Sequence, residues 1–224
     1  MWLLSAPDPK PRLYASTYSP VIWPASSSVI LEPGSAPLFT DLAALWAERR
    51  SHTDGVQPAL DSIGAVLWHV SRTLATAPSP YGFPIERRPV PSAGALHPVH
   101  ILVQLPQTST WARYSPQRHR LDVITDDEQV LDGLLEHAQS VAENRPGAYL
   151  AFVGEPGRLS TKYENHESLL WRDAGILQGN ICLAAQAHGL GVCLLGVTGH
   201  QWISRLAQQG QLVGVGLARI YART

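Results

Sequence analysis

The chain has 224 residues, enough for one substantial domain around a single core. Charged residues make up only 16 % of it and the formal net charge is −1, so it carries no electrostatic footprint for nucleic acid or an anionic membrane surface. No apolar run approaches membrane-spanning length, and Met1-Trp-Leu-Leu gives way to Pro7, Asp8, Pro9 and Lys10 too soon for a signal peptide's apolar segment.

Residues 1–37 are rich in Pro and Ser and read as an extended arm preceding one domain over 38–224. The first helix is expected over 40–50, capped by Thr40 or Asp41, with Leu42, Leu45 and Trp46 on one side. A second spans 58–74, with Pro58 in its first turn and Leu60, Ile63, Leu67 and Val70 aligned. A turn-rich loop at 75–86 leads through R-R-P-V-P-S-A-G-A-L-H-P to a strand at 98–105. Strands near 111–115 and 119–124 follow, then a helix from Asp126 or Asp127 to 140 and a buried strand at 148–154. The longest helix runs over 167–188, and Gly175 and Gly179 inside it predict a backbone or ring close by. A strand at 190–195, a helix at 200–209 and a strand at 212–220 complete an α+β layout without a repeated β-α-β unit.

Cys182 and Cys193 lie in apolar contexts and form no C-x-x-C pair, which fits core thiols in a reducing cytoplasm. Seven Trp and 45 % hydrophobic residues point to apolar surface covered by another subunit or a planar ligand. Gly189-Leu-Gly191 is no dinucleotide fingerprint, because it leaves a helix to enter a strand, the reverse of what phosphate binding needs. Ser92 sits in no G-x-S-x-G elbow. His97 and His100 suggest no third ligand, so no metal site is expected. What remains is the run Pro91, Ser92, Ala93, Gly94: one residue fixes a dihedral, another frees one, and the small side chains leave backbone bare for a flat group.

Five stretches together resemble the nitroreductase-like flavoprotein superfamily, in its SagB-type dehydrogenase branch, which includes azoline oxidases of thiazole/oxazole-modified peptides. They are Arg49-Arg50-Ser51, the run Arg88 to Pro98, Lys162-Tyr163, Ala174-Gly175 through Asn180, and Leu183 to Gly196. The resemblance implies a three-layer α+β fold, a mostly antiparallel central sheet flanked by helices, and an intertwined homodimer with FMN at the subunit interface. It gives Arg49, Arg50 and Ser51 to the flavin phosphate and pyrimidine side. Arg88, Pro91, Ser92, Ala93, Gly94, Leu96, Asn180, Leu195 and Gly196 are expected around the rest of the cofactor. Guanidinium groups suit that duty because they pair bidentately with phosphate and stabilise an anionic reduced flavin.

Where the family commonly has a second basic residue, this chain has Thr53, and Arg219 near the C-terminus is the candidate that compensates. Lys162 and Tyr163 match the branch's acid/base pair. Dehydrogenating an azoline removes a ring proton while a hydride leaves the neighbouring carbon, so a base must face the flavin across the substrate. Glu164, Asn165, His166 and Glu167 replace the glycine and arginines that often follow, and read as a solvated face. Three functions stay open: an FMN-dependent azoline dehydrogenase, an NAD(P)H-dependent nitro or quinone reductase, and a non-catalytic scaffold subunit of a biosynthetic complex. Other subunits of such a complex and a peptide or small-molecule substrate are the implied partners.

Overall fold

The computed structural model describes residues 7–38, 40–51, 54–125, 129–206 and 212–223; Thr53 and the expected caps Asp126 and Asp127 lie outside the described residues. In chain order the elements are β1 (Lys10–Pro11), β2 (Ala25–Ile30), α1 (Leu42–Glu48), α2 (Leu60–Ser71), β3 (Ala75–Ala77), β4 (Ile85–Arg87) and β5 (Val99–Gln104). Then come β6 (Trp111–Ser115), β7 (Arg120–Ile124), α3 (Val130–Val141), β8 (Ala148–Gly154), α4 (Pro156–Ser160), β9 (Tyr163–Glu164), α5 (Glu167–Ala187), β10 (Leu190–Leu195), α6 (His200–Ile203) and β11 (Val213–Ala222).

Among the described residues, seven strands form one antiparallel sheet in the order β10-β11-β8-β5-β6-β7-β2. Strand β8, interior between β11 and β5, is buried along its whole length, and its alternation divides the core in two. Ala148, Leu150 and Phe152 face one side with Val99, Ile101 and Val103 of β5, under Ile63 and Val66 of α2 and Leu170, Leu177 and Ile181 of α5. Tyr149, Ala151 and Val153 face the other, under Leu131, Leu134 and Leu135 of α3 and Ile203 of α6. Each fully buried side chain such as Leu150 or Phe152 contributes about 1.5–3 kcal/mol, so both helix layers are needed to cover the sheet. The result is the expected α+β sandwich of helices about a central antiparallel sheet.

Several local expectations change. Residues 25–30, read as part of the arm, form edge strand β2 against β7; their serines are exposed, so the ladder and not an apolar pattern defines the strand. Asp41 caps α1 through the amides of Ala43 and Ala44. Ala59 is the N-cap of α2, so Pro58 precedes the helix. The 75–86 loop contains the β3–β4 pairing. A Cβ on Gly175 or Gly179 would meet nothing within 4 Å, so none of the described residues approaches them. Helix α5 buries the stripe Leu170, Ala174, Leu177 and Ile181, and turns Trp171, Ile176 and those glycines outward.

Register decides what meets at the working end of the sheet. Val99 lies opposite Gly154, Gly154 opposite Val213, and Leu195 opposite Leu217. The loop entering β5, the turn leaving β8 and the exit of β10 therefore share one end.

Candidate active site

The segment before β5 is a small-residue loop held from several sides. Ser92 is extended, its Oγ accepts from the His97 amide at 2.9 Å, and Ala93–Ala95 make one 3-10 turn. Gly94 has φ +63°, in the left-handed region that glycine enters without penalty. Ala95 and His97 also have positive φ, so the turn is strained and depends on its surroundings. Those surroundings are specific. Both carboxylate oxygens of Asp173 accept from the Ala93 amide, at 3.1 and 3.0 Å. Arg158 Nη1 donates to the Leu96 carbonyl at 3.2 Å, and the Glu155 amide donates to the Pro98 carbonyl at 2.8 Å.

The acid/base candidates close over this turn. A Cβ added to Gly94 would lie 2.9 Å from Lys162 Cδ and 3.0 Å from both Lys162 Nζ and Tyr163 Oη. Two sequence motifs almost seventy positions apart thus share one contact. The ammonium of Lys162 also stands 5.7 Å from the centre of the Tyr163 ring. Tyr163 itself packs half-buried against the main core.

Beside the turn is a cavity in which Ser71, Arg88, Ser92, His97 and Asp173 share the lining with a larger apolar surface, Val70, Val90 and Leu177 among it. Burial raises the Asp173 carboxyl to about 6, the Ala93 amide opposing it. Burial and the Arg88 charge bring His97 down to about 4, so the neutral ring donates from Nε2 to the Glu86 carbonyl at 2.9 Å. Burial would raise Glu86, but Arg88 and the Thr73 hydroxyl hold it near 2. Arg88 Nε donates to Glu86 at 2.8 Å while its side chain borders the cavity.

The remaining predicted residues form other groups. Arg49, Arg50 and Ser51 are exposed at the end of α1, and α1 packs on α5. The Arg49 charge acts on the Cys182 thiol, nine residues beyond Asp173 and roughly 13 Å along the helix axis. Asn180 is exposed on α5 and donates to the Ile176 carbonyl at 2.9 Å. Leu195 is half-buried and Gly196 borders open space, at the same sheet end as Pro91 to Leu96.

Arg219 is a correction. By strand alternation it shares the face of Leu217, opposite α5 and the Ser92 turn. Its guanidinium is buried, donates to the Pro146 carbonyl at 3.1 Å and lies 4.3 Å over the Tyr221 ring. An arginine so enclosed is a poor phosphate ligand.

Two residues that sequence reasoning passed over matter more. Among the described residues, Arg223 Nε and Nη2 are buried without a hydrogen-bond partner. The Val56–Ala222 bridge puts Arg223 next to the residue paired with Val56. Asp173 lies on the stripe of Leu170 and Leu177, so a carboxylate at a buried helical position was its legible signal.

The Nitroreductase family model matches residues 57–209, more than half of the chain. No protein of curated function matches it in sequence. In structure it is similar to a Ralstonia eutropha JMP134 protein designated a nitroreductase, at TM-score 0.64 and 16 % identity over 97 % of this chain and 99 % of that one. It is also similar to a chain of the Escherichia coli microcin synthetase McbBCD complex with truncated pro-MccB17 bound, at TM-score 0.58 and 14 % identity over 88 % and 78 %. A third is an Exiguobacterium sibiricum protein, designated a nitroreductase and solved in complex with FMN, at TM-score 0.54 and 16 % identity over 85 % and 91 %.

Proposed function

Because the chain belongs to the nitroreductase family, we propose that it is an FMN-dependent oxidoreductase that dehydrogenates an azoline-type heterocycle in a peptide or natural-product intermediate. The observation that carries this reading is the convergence of Lys162 Nζ and Tyr163 Oη on the backbone of Gly94. The FMN complex of the Exiguobacterium protein and the peptide-bound microcin synthetase support the cofactor and the substrate class respectively.

The residues present fit the cofactor. Arg223 donors that are buried and without a partner among the described residues suit a phosphate, to be joined by Arg49, Arg50 and Ser51 at the end of α1. Pro91, Ser92, Ala93, Gly94 and Leu96, with Leu195 and Gly196 at the same sheet end, would border the ring; Arg88 and Asn180 are the remaining candidates. Held there, FMN would supply the acceptor for the hydride that leaves the substrate. Of the Lys162 and Tyr163 pair, the member that has first given up its own proton would take the one from the neighbouring ring carbon. Gly94, having no Cβ, lets the two head groups lie directly against the backbone of the turn.

A second copy of the chain is the proposed partner. The phosphate-side arginines and the Ser92 turn lie toward different halves of α5, whose outward Trp171 and Ile176 are large exposed apolar side chains. A facing copy would cover them, fill the space beside Gly175 and Gly179, and bring the two halves of a site together. Among the described residues no helix is long and apolar enough to cross a membrane.

The test is direct. The purified protein is expected to bind FMN stoichiometrically and to turn over an azoline peptide with oxygen as acceptor, with Lys162→Ala and Tyr163→Phe each losing turnover while keeping FMN. A protein that neither carries nor takes up FMN overturns the cofactor, and full turnover in both variants overturns the pair. Rapid anaerobic bleaching by NAD(P)H would point to a nitro or quinone reductase instead.

A further inference from the structure

The family match begins at residue 57, yet the chain that contacts the proposed acid/base pair from outside comes from far upstream. Lys10–Pro11 pairs antiparallel with Tyr163–Glu164. The Arg12 amide donates to the Lys162 carbonyl at 2.8 Å, and the Ser16 amide donates to the Thr161 carbonyl at 3.0 Å. Arg12 Nε donates to the Ser160 carbonyl at 2.6 Å, and Arg12 Nη1 stands 3.7 Å from the Glu164 carboxylate. Asn165 Nδ2 reaches back to the Asp8 carbonyl at 3.4 Å.

The downstream end of this stretch is anchored more deeply. Tyr18 Oη donates to Glu155 at 3.0 Å and the Val21 amide at 2.6 Å, while His100 Nε2 and Arg158 Nε donate at 2.7 and 2.8 Å. Glu155 is wholly buried and begins the turn into α4. The connection from α4 to α5 is therefore gripped between the upstream chain on one side and the Gly94 turn on the other.

We propose that residues 8–21 are a strap belonging to the active site, which fixes the backbone of residues 160–165 so that Lys162 Nζ and Tyr163 Oη stay against Gly94, with Arg12 as its positioning residue. The inference rests on the reading of Lys162 and Tyr163 as the proton-transfer pair. Its physical basis is that Lys162 is long and flexible, so its head group is only as well placed as the main chain beneath it. The strap supplies that placement through main-chain hydrogen bonds, which depend on an extended backbone more than on side-chain identity. Misplacing a catalytic group by about 1 Å costs on the order of 100-fold in rate.

The experiment compares the full chain with Arg12→Pro, which removes the amide donor and the guanidinium together, with Arg12→Lys, which keeps the amide and a cation, and with a chain lacking residues 1–12. All retain the Tyr18 and Val21 anchors. FMN stoichiometry, thermal midpoint, amide hydrogen exchange over residues 160–165, and kcat and KM for an azoline peptide are measured. Arg12→Pro and the shortened chain should keep FMN and their midpoint, exchange faster over 160–165, and lose about tenfold in kcat with KM within about twofold. Arg12→Lys should stay close to the parent. Unchanged exchange and kcat overturn the strap, and loss of FMN or of several degrees in midpoint marks Arg12 as a general folding residue, which overturns it too. Lys162→Ala is run in parallel: if that variant keeps full turnover the reading of the pair falls, and exchange over 160–165 alone then decides the strap.

Discussion

Asp173 grips the Ala93 amide with both carboxylate oxygens, so a side chain from the longest helix sets the height of the turn on which Gly94 meets Lys162. Its ionisation has a thermodynamic sign. Burial raises the folded carboxyl to about 6 from an ordinary 3.8, so the folded state binds the proton more tightly than the unfolded one. That stabilisation is complete below 3.8 and lost as pH rises through 6; above that the ionised group weakens the fold by on the order of 3 kcal/mol. Asp173→Asn keeps a carbonyl acceptor for Ala93 without the charge. Its thermal midpoint should exceed the parent's at pH 7.5, with the gap closing toward pH 4, as read by scanning fluorimetry across pH. A constant gap would falsify the assignment.

Gly94→Ala tests the contact from the other side. At φ +63° an alanine costs about 1–2 kcal/mol, and its Cβ would press on Lys162 and Tyr163. The variant should lose a few degrees of thermal midpoint and more than tenfold in turnover. Full turnover would mean that the pair does not need the space above that backbone.

For Arg223→Ala, cofactor affinity and apoprotein stability should separate. A charge-assisted bond to phosphate contributes about 1.5–3 kcal/mol, so FMN should bind at least tenfold more weakly, as read by quenching of flavin fluorescence. The apoprotein should be no less stable, because the buried Nε and Nη2 donors removed have no partner to lose among the described residues. Unchanged FMN affinity would return the phosphate to other groups.

The Glu155 carboxylate accepts four hydrogen bonds in full burial. Burial would raise it, but His100, Arg158 and the Val21 amide hold it near 2. Burial brings His100 itself down to about 4, so at neutral pH a neutral imidazole donates from Nε2. A depressed carboxylate stabilises the fold above its ordinary 4.5, and that contribution disappears as pH falls toward 2. Glu155→Gln removes the charge that Arg158 faces, a loss of about 3–5 kcal/mol. Its acid limb should flatten, and chymotrypsin should cut at Tyr14 and Tyr18 faster than in the parent.

Strand β8 was legible as drawn, because a seven-residue apolar run between turn signals has few other uses. So was the α5 stripe. Strand β2 was not: Ala25, Ser26, Ser27 and Ser28 carry no alternation, and only their pairing with β7 makes them a strand. For the site, motif resemblance selected both the Ser92 turn and Lys162-Tyr163, but their contact is a product of register and of the Asp173 anchor. Arg219 shows the opposite failure, since its charge is visible in sequence and the sheet face it points to is not. Arg223, four residues further along, has no pattern around it in the sequence.

The place of β2 in the sheet has a practical meaning for handling the molecule. It lies along β7, from Ala25 opposite Ile124 to Ile30 opposite Arg120, outside the stretch that matches the family. A chain shortened to begin at residue 57 would lose that cover, and with it the partners of the outward amides and carbonyls of β7. An uncovered strand edge is a template for pairing with other chains, so the trimmed protein is set to aggregate through an edge that the intact one keeps closed with three serines in a row.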